Sequence, residues 1–138
     1  MRSDTSSNVS FLVAPLNSIW IRDYGPNPAY TNEVDSLVFI DWIYNRPRPA
    51  DDLVPDALGT FLDIPVYSTT APPTDLVHTG GNFMADGLGT GFSSRLILHE
   101  NDATNQWGVS NHSEDDVNNI MNDFMGIEEY IKMTVLPY

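Results

Sequence analysis

The order of elements along these 138 residues constrains the fold more than any single motif does. Apolar runs and helical stretches follow one another as strand, strand, helix, strand. The same order begins again near Gly80, roughly seventy residues after its first start, with no sequence identity between the copies. Strands are expected at residues 8–14 (NVSFLVA), 36–42 (SLVFIDW), 64–69, 93–99 (SSRLILH) and 131–136 (IKMTVL), with 82–85 extended. Residues 15–28 read as a loop and 86–91 (DGLGTG) as a hairpin turn. Residues 51–62 show helical spacing, with Leu53, Ala57, Leu58, Phe61 and Leu62 on one face and Pro55 in the first turn. The second helix is bounded more clearly. Ser113 is an N-cap, Glu114, Asp115 and Asp116 fill the first turn, and Val117, Ile120, Met121 and Phe124 form an apolar stripe. Gly126 is the stop. Two ββαβ units leave sheet edges unpaired, so the chain is expected to be part of a larger ring.

Composition narrows the partners. Hydrophobic residues at 41% support a core, while nineteen acidic against six basic side chains give a formal charge of −13. Such a surface repels phosphate backbones and anionic lipid, which argues against nucleic acid and membrane surfaces as partners. Residues 1–10 lack a basic segment followed by an apolar one, so no signal peptide is expected and the compartment stays open. There is no cysteine, which excludes a thiol nucleophile or a zinc–thiolate site within these residues. The three histidines lack the spacing of a ligand pair, and no G-x-S-x-G elbow is present.

Three constellations could carry chemistry. Trp20, Arg22, Asp23 and Tyr24 fall on a Gly/Pro-bounded turn. A carboxylate accepting two parallel N–H bonds beside an indole face suits a planar cation. The other reading is a core tryptophan beside an internal Arg22–Asp23 pair. Arg46 and Arg48, two of the six basic residues, alternate with prolines in an extended segment. They make either a carboxylate-binding site or a solvated loop. Gly80 and Gly81, after His78 and Thr79, allow close backbone approach to a ligand or simply a tight bend.

Taken jointly, IWIRDYGP (19–26), NRPRP (45–49) and HTGGNFMADG (78–87) resemble the bacterial peptidylarginine deiminase branch of the agmatine deiminase family, in the guanidine-modifying pentein superfamily. The resemblance implies an α/β fold, the pentein α/β propeller of five ββαβ units. This chain would supply about two of them, as a single segment with units 8–70 and 78–138. It implies a hydrolase in which a cysteine thiolate attacks the guanidinium carbon, ammonia leaves, and water releases the product, with no metal or organic cofactor. By position, Asp23 resembles the guanidinium-binding carboxylate and Trp20 the residue lining its pocket. Arg46 and Arg48 resemble the pair that clamps the terminal carboxylate of a peptidyl arginine. His78, Thr79, Gly80 and Gly81 would lie behind them.

Thr79 stands where the agmatine-specific branch has glutamate, which favours C-terminal arginine in peptides as substrate over agmatine. The family's H-x-D motif should follow shortly after Leu136, and its cysteine further on. These 138 residues are therefore expected to carry half a site and to be inactive alone. The rival expectations are an agmatine deiminase and a non-catalytic module that binds arginine or peptides. Self-association through exposed sheet edges, or pairing with the missing half, is also expected.

Overall fold

The computed structural model describes residues 9–31 and 34–135. Its elements run α1 (Ile21–Tyr24), β1 (Asn27–Thr31), β2 (Ser36–Tyr44), α2 (Val54–Leu62), β3 (Val66–Thr69) and β4 (Val77–His78). They continue as a 3-10 turn (Gly80–Asn82), β5 (Met84–Ala85), β6 (Thr90–Ser94), α3 (Leu96–Asn101), α4 (Glu114–Met125) and β7 (Glu129–Met133). None of these helices is long and apolar enough to cross a membrane.

Two sheets result. In the first, β1 pairs antiparallel with β2, and β2 pairs in parallel with β3 and, further along, with β4. In the second, β5 pairs antiparallel with β6, and β6 in parallel with β7. Each sheet is thus a hairpin whose second strand gains a parallel neighbour after a helical crossover, which two-residue turns cannot supply. The doubled strand–strand–helix–strand order is present, but its first strand is elsewhere.

That strand is β1, which begins in the last two residues of the stretch expected to be a loop and runs on to Thr31. Residues 9–14 form no strand, and Val13 is 93% exposed. Asn8 lies outside the described residues. An apolar run becomes a strand only where another strand or a core covers it, and nothing described here covers this one. Residues 93–99 also divide differently: β6 stops at Ser94, and Leu96 begins α3. The helix buries Ile97 and Asn101, four apart on one face. Asn101 then serves β4 as a substitute strand. Its side-chain oxygen accepts from Val77 N–H and its amide donates to the Val77 carbonyl, both at 2.8 Å. The last strand is β7, two residues earlier than expected, and Leu136 lies outside the described residues.

α2 starts at Val54 and buries a different face from the one expected. Leu53 is 64% exposed, Phe61 and Leu62 are exposed as well, and Val54, Pro55 and Gly59 are buried. Gly59 packs so closely on Val66 that any Cβ there would collide with it. α4 follows expectation. Ser113 Oγ accepts from Asp116 N–H while the Asp116 carboxylate accepts from Ser113 N–H, and Gly126 ends the helix at φ 65°. Its stripe of Val117, Ile120 and Met121 packs with Trp42, Leu76, Phe83, Ile97 and Ile127 to form the main core. The turn after β5 is held by Asp86 Oδ1, which accepts from Leu88 N–H and Thr90 N–H.

β2 is the central strand and carries a buried acid. Burial, reinforced by the nearby Asp52 and Asp56, pushes the Asp41 carboxyl up to about 7, against a pull from Ser68. The folded state therefore holds this proton where the unfolded chain has lost it. The associated stability is complete below about pH 4 and is lost as pH rises through about 7. Replacing Asp41 with Asn should remove that slope. In urea denaturation followed from pH 4 to pH 8, Asp41→Asn should gain on the parent chain by on the order of 3 kcal/mol at the alkaline end. Parallel curves would contradict the assignment.

Candidate functional site

α1 is the junction of the three motifs. It is only four residues long, and its turn closes through Asp23 N–H to Trp20 O and Gly25 N–H to Ile21 O, both at 2.8 Å. Short helices are marginal by themselves, so tertiary contacts must hold this one. They come from both sides.

On one side is the glycine segment. Arg22 Nη2 donates to the Phe83 carbonyl at 2.8 Å, and Thr79 Oγ1 donates to the Asp23 carbonyl at 3.2 Å. The Arg22 carbonyl occupies the space where a side chain at Gly80 would begin, and Asp23 Oδ1 occupies the equivalent space at Gly81. Neither glycine has a positive φ, so close approach rather than backbone freedom is what requires glycine here. The alternative of an internal Arg22–Asp23 ion pair is not what forms, and no ion pair among the described residues involves Asp23. The Asp23 side chain is half-buried, and Trp20, at 58% exposure, lies open on the surface rather than in the core.

On the other side is the NRPRP segment, at the carboxyl end of β2. The segment is not extended. It coils, with Arg46 N–H bonded to Tyr44 O and Arg48 N–H to Arg46 O. Arg46 is exposed and donates to the Asn45 carbonyl at 2.6 Å, while Arg48 is half-buried and reaches the Tyr44 hydroxyl at 3.3 Å. Tyr24, next to Asp23, meets the Tyr44 ring edge-on at 5.7 Å. The two motifs are thus joined through paired tyrosines. No hydrogen bond among the described residues joins either arginine directly to Asp23 or Trp20.

Asp51 anchors the segment that leads into α1, and nothing in the sequence singled it out beyond its place at the start of the helical stretch 51–62. It is fully buried. Its oxygens accept from Asn17 N–H (2.7 Å), Ser18 N–H (3.1 Å) and Ser18 Oγ (2.7 Å). The Ser18 carbonyl in turn accepts from the Tyr24 hydroxyl at 2.8 Å. Burial would raise this carboxyl, but the Ser18 and Asn17 bonds and the Arg48 charge outweigh it and hold it below the ordinary carboxylate range.

His78 lies below the surface. It is fully buried against Trp42 (4.5 Å between ring centres) and Phe83, and burial drives its pKa down to about 3, so it is neutral. Its Nε2 lies 3.3 Å from the Tyr130 hydroxyl, and its Nδ1 has no partner. Among the described residues no group of three or more His, Cys, Asp or Glu could hold a metal ion.

Close packing at Gly80 yields a direct test. Gly80→Ala would set a methyl against the Arg22 backbone carbonyl, which cannot move without displacing α1. We expect a loss of about 1–3 kcal/mol in chemical denaturation. A loss below about 0.5 kcal/mol, the range of ordinary surface substitutions, would show that the contact is slack.

Comparison with known proteins bears on the fold and the family. A Lactococcus lactis protein, provisionally named an agmatine deiminase, is 26% identical over 141 residues, covering 94% of this chain and 36% of its own. The solved agmatine deiminase of Enterococcus faecalis superposes with a TM-score of 0.66 at 22% identity, over 85% of this chain and 32% of that one. A substituted C. jejuni agmatine deiminase solved with substrate bound gives 0.65 at 16% identity, over 93% and 37%. These likenesses show a mixed α/β fold of the deiminase type, and the chain spans about a third of the length of each relative. A family model described as Porphyromonas-type peptidyl-arginine deiminase matches residues 1–135, nearly the whole chain, and the chain belongs to that family.

Proposed function

We propose that this chain is the guanidinium- and carboxylate-binding part of a hydrolase that converts C-terminal arginine of peptides to citrulline with release of ammonia. Asp23 accepts the guanidinium N–H groups, Trp20 covers the planar cation, and Arg46 and Arg48 hold the peptide's terminal carboxylate. Thr79, Gly80 and Gly81 back the Asp23 turn, and His78 supports them from the core. The single observation that carries this reading is the Asp23 carboxylate, laid against Gly81 and left without a cationic partner among the described residues. A half-buried acid in that state is ready for a cation brought by a ligand.

The chemical step needs a thiolate, and the chain has no cysteine. The attack on the guanidinium carbon, the loss of ammonia and the release by water therefore fall to residues outside these 138, with no metal or organic cofactor. In this reading the two hairpin–helix–strand sheets are two units of a five-unit α/β propeller. Exposed sheet edges pair with the rest of the ring, or with another copy when it is absent.

Agmatine is the rival substrate, giving N-carbamoylputrescine, and the relatives' names favour it. It would use Asp23 and Trp20 in the same way. It has no carboxylate for Arg46 and Arg48, and Thr79 stands where the agmatine branch carries glutamate. A non-catalytic arginine- or peptide-binding module would share every contact above.

Two measurements test the site and the choice between peptidyl arginine and agmatine. The purified chain should release no citrulline from peptidyl arginine, and robust turnover would refute the missing-nucleophile account. In an NMR titration it should bind glycyl-arginine with a Kd weaker than ~1 mM, a free energy of about −4 kcal/mol. Asp23→Asn should weaken that binding by about tenfold or more, the usual loss for one charge-assisted hydrogen bond. Agmatine binding as tightly as glycyl-arginine would defeat the peptidyl reading, and affinity unchanged by Asp23→Asn would defeat the site.

A further inference from the structure

The NRPRP turn is bonded to itself and to the residues just after it, the Arg48 carbonyl accepting from Asp51 N–H (3.1 Å) and Asp52 N–H (3.2 Å). Arg46 and Arg48 donate their backbone N–H groups to Tyr44 and Arg46, and both guanidinium bonds stay within residues 44–45. Among the described residues, one hydrogen bond ties residues 45–48 to the second half of the chain. Asn45 Nδ2 donates to Glu100 Oε1 at 2.8 Å, across 55 positions. Asn45 is 1% exposed, so its amide cannot exchange this acceptor for water.

Glu100 comes from α3, the helix that the sequence hides inside an apparent strand. α3 is itself firmly placed, by Ile97 in the core and by Asn101 on β4. A rigid element thus presents one carboxylate to the root of a turn whose other hydrogen bonds all stay within residues 44–52. Among the described residues Asn45 Oδ1 and Glu100 Oε2 are both buried without partners, so the pair keeps its alignment through the single bond between them. Burial raises the Glu100 carboxyl, while the Asn45 bond and the Arg46 charge pull it down, which places Arg46 within electrostatic reach of the same group.

We propose that Glu100 is a positioning residue. By holding Asn45, it sets the angle at which the turn presents Arg46 and Arg48, and so favours ligands that end in a free carboxylate. The selectivity half of this inference rests on the reading of Arg46 and Arg48 given above. The positioning half stands on the hydrogen bond alone.

Two variants test it in the full chain. Glu100→Ala removes the acceptor, and Glu100→Gln keeps an oxygen that can accept from Asn45. Amide hydrogen exchange reads the positioning. Glu100→Ala should speed exchange at Arg46 and Arg48 by about tenfold or more, while the Asn17 and Ser18 amides bonded to Asp51 stay protected. Titration with glycyl-arginine and glycyl-argininamide reads the selectivity. Glu100→Ala should lower the affinity ratio of acid to amide about threefold or more, with little change for the amide. Glu100→Gln should match the parent in exchange and should not lower the acid-to-amide ratio.

Unchanged exchange at Arg46 and Arg48 in Glu100→Ala would overturn the positioning. Equal losses for the two ligands would overturn the selectivity, and a Gln variant as impaired as Ala would overturn the hydrogen bond as its cause. If the parent chain binds neither ligand, the function proposed above fails, while the exchange result still decides whether Glu100 positions the turn.

Discussion

The carboxylate of Asp51 is the interaction on which the neighbourhood of α1 depends. A buried charge is costly unless its oxygens are filled by donors, and three of them converge here from Asn17 and Ser18. The consequence runs outward. Ser18 is fixed and accepts from Tyr24, Tyr24 lies edge-on to Tyr44, and Tyr44 receives Arg48. Asn17 meanwhile accepts from Ala50 N–H at 2.8 Å, which closes the loop back onto the residue before Asp51. A segment with almost no regular structure, residues 15–20, is thereby held against the carboxyl end of a central strand. Open α/β sheets collect their ligands at such strand ends.

Where the sequence could be read, it was read through local chemistry. Ser113, Asp116 and Gly126 bound α4 because capping bonds form between neighbours, whatever the rest of the chain does. Asp86 and the glycines after it made the hairpin turn for the same reason. The elements that were misread depend on distant partners. Residues 9–14 are as apolar as a strand but have no described cover. Residues 93–99 carry a short apolar run, whose period cannot separate helix from strand. Ile97 and Asn101 decide it by facing the same core. The exposed apolar side of α2 follows from Gly59, whose lack of a side chain lets Val66 approach and turns Leu53, Phe61 and Leu62 outward.

The candidate site divides in the same way. Its three motifs were visible because unusual residue types were crowded together, and the fold brings all three to α1. The residues that hold them there were not visible. Asp51, Asn45 and Glu100 are ordinary in type and bond partners 33 to 55 positions away. His78 shows the reverse. Its type drew notice beside the paired glycines, but its setting was not legible, and desolvation keeps it neutral against Trp42 and Phe83.

The absent side chain at Gly81 has an effect on dynamics as well as on packing. A free aspartate on an open turn samples several rotamers, and a ligand arriving there must select one and quench the rest. At position 23 the oxygen is already lodged in the hollow beside the glycine, so that freedom is given up when the chain folds. In the proposed site, a cation reaching this acid would meet a side chain with little rotamer freedom left to lose, and preorganisation of this kind lowers the entropic cost of holding a ligand.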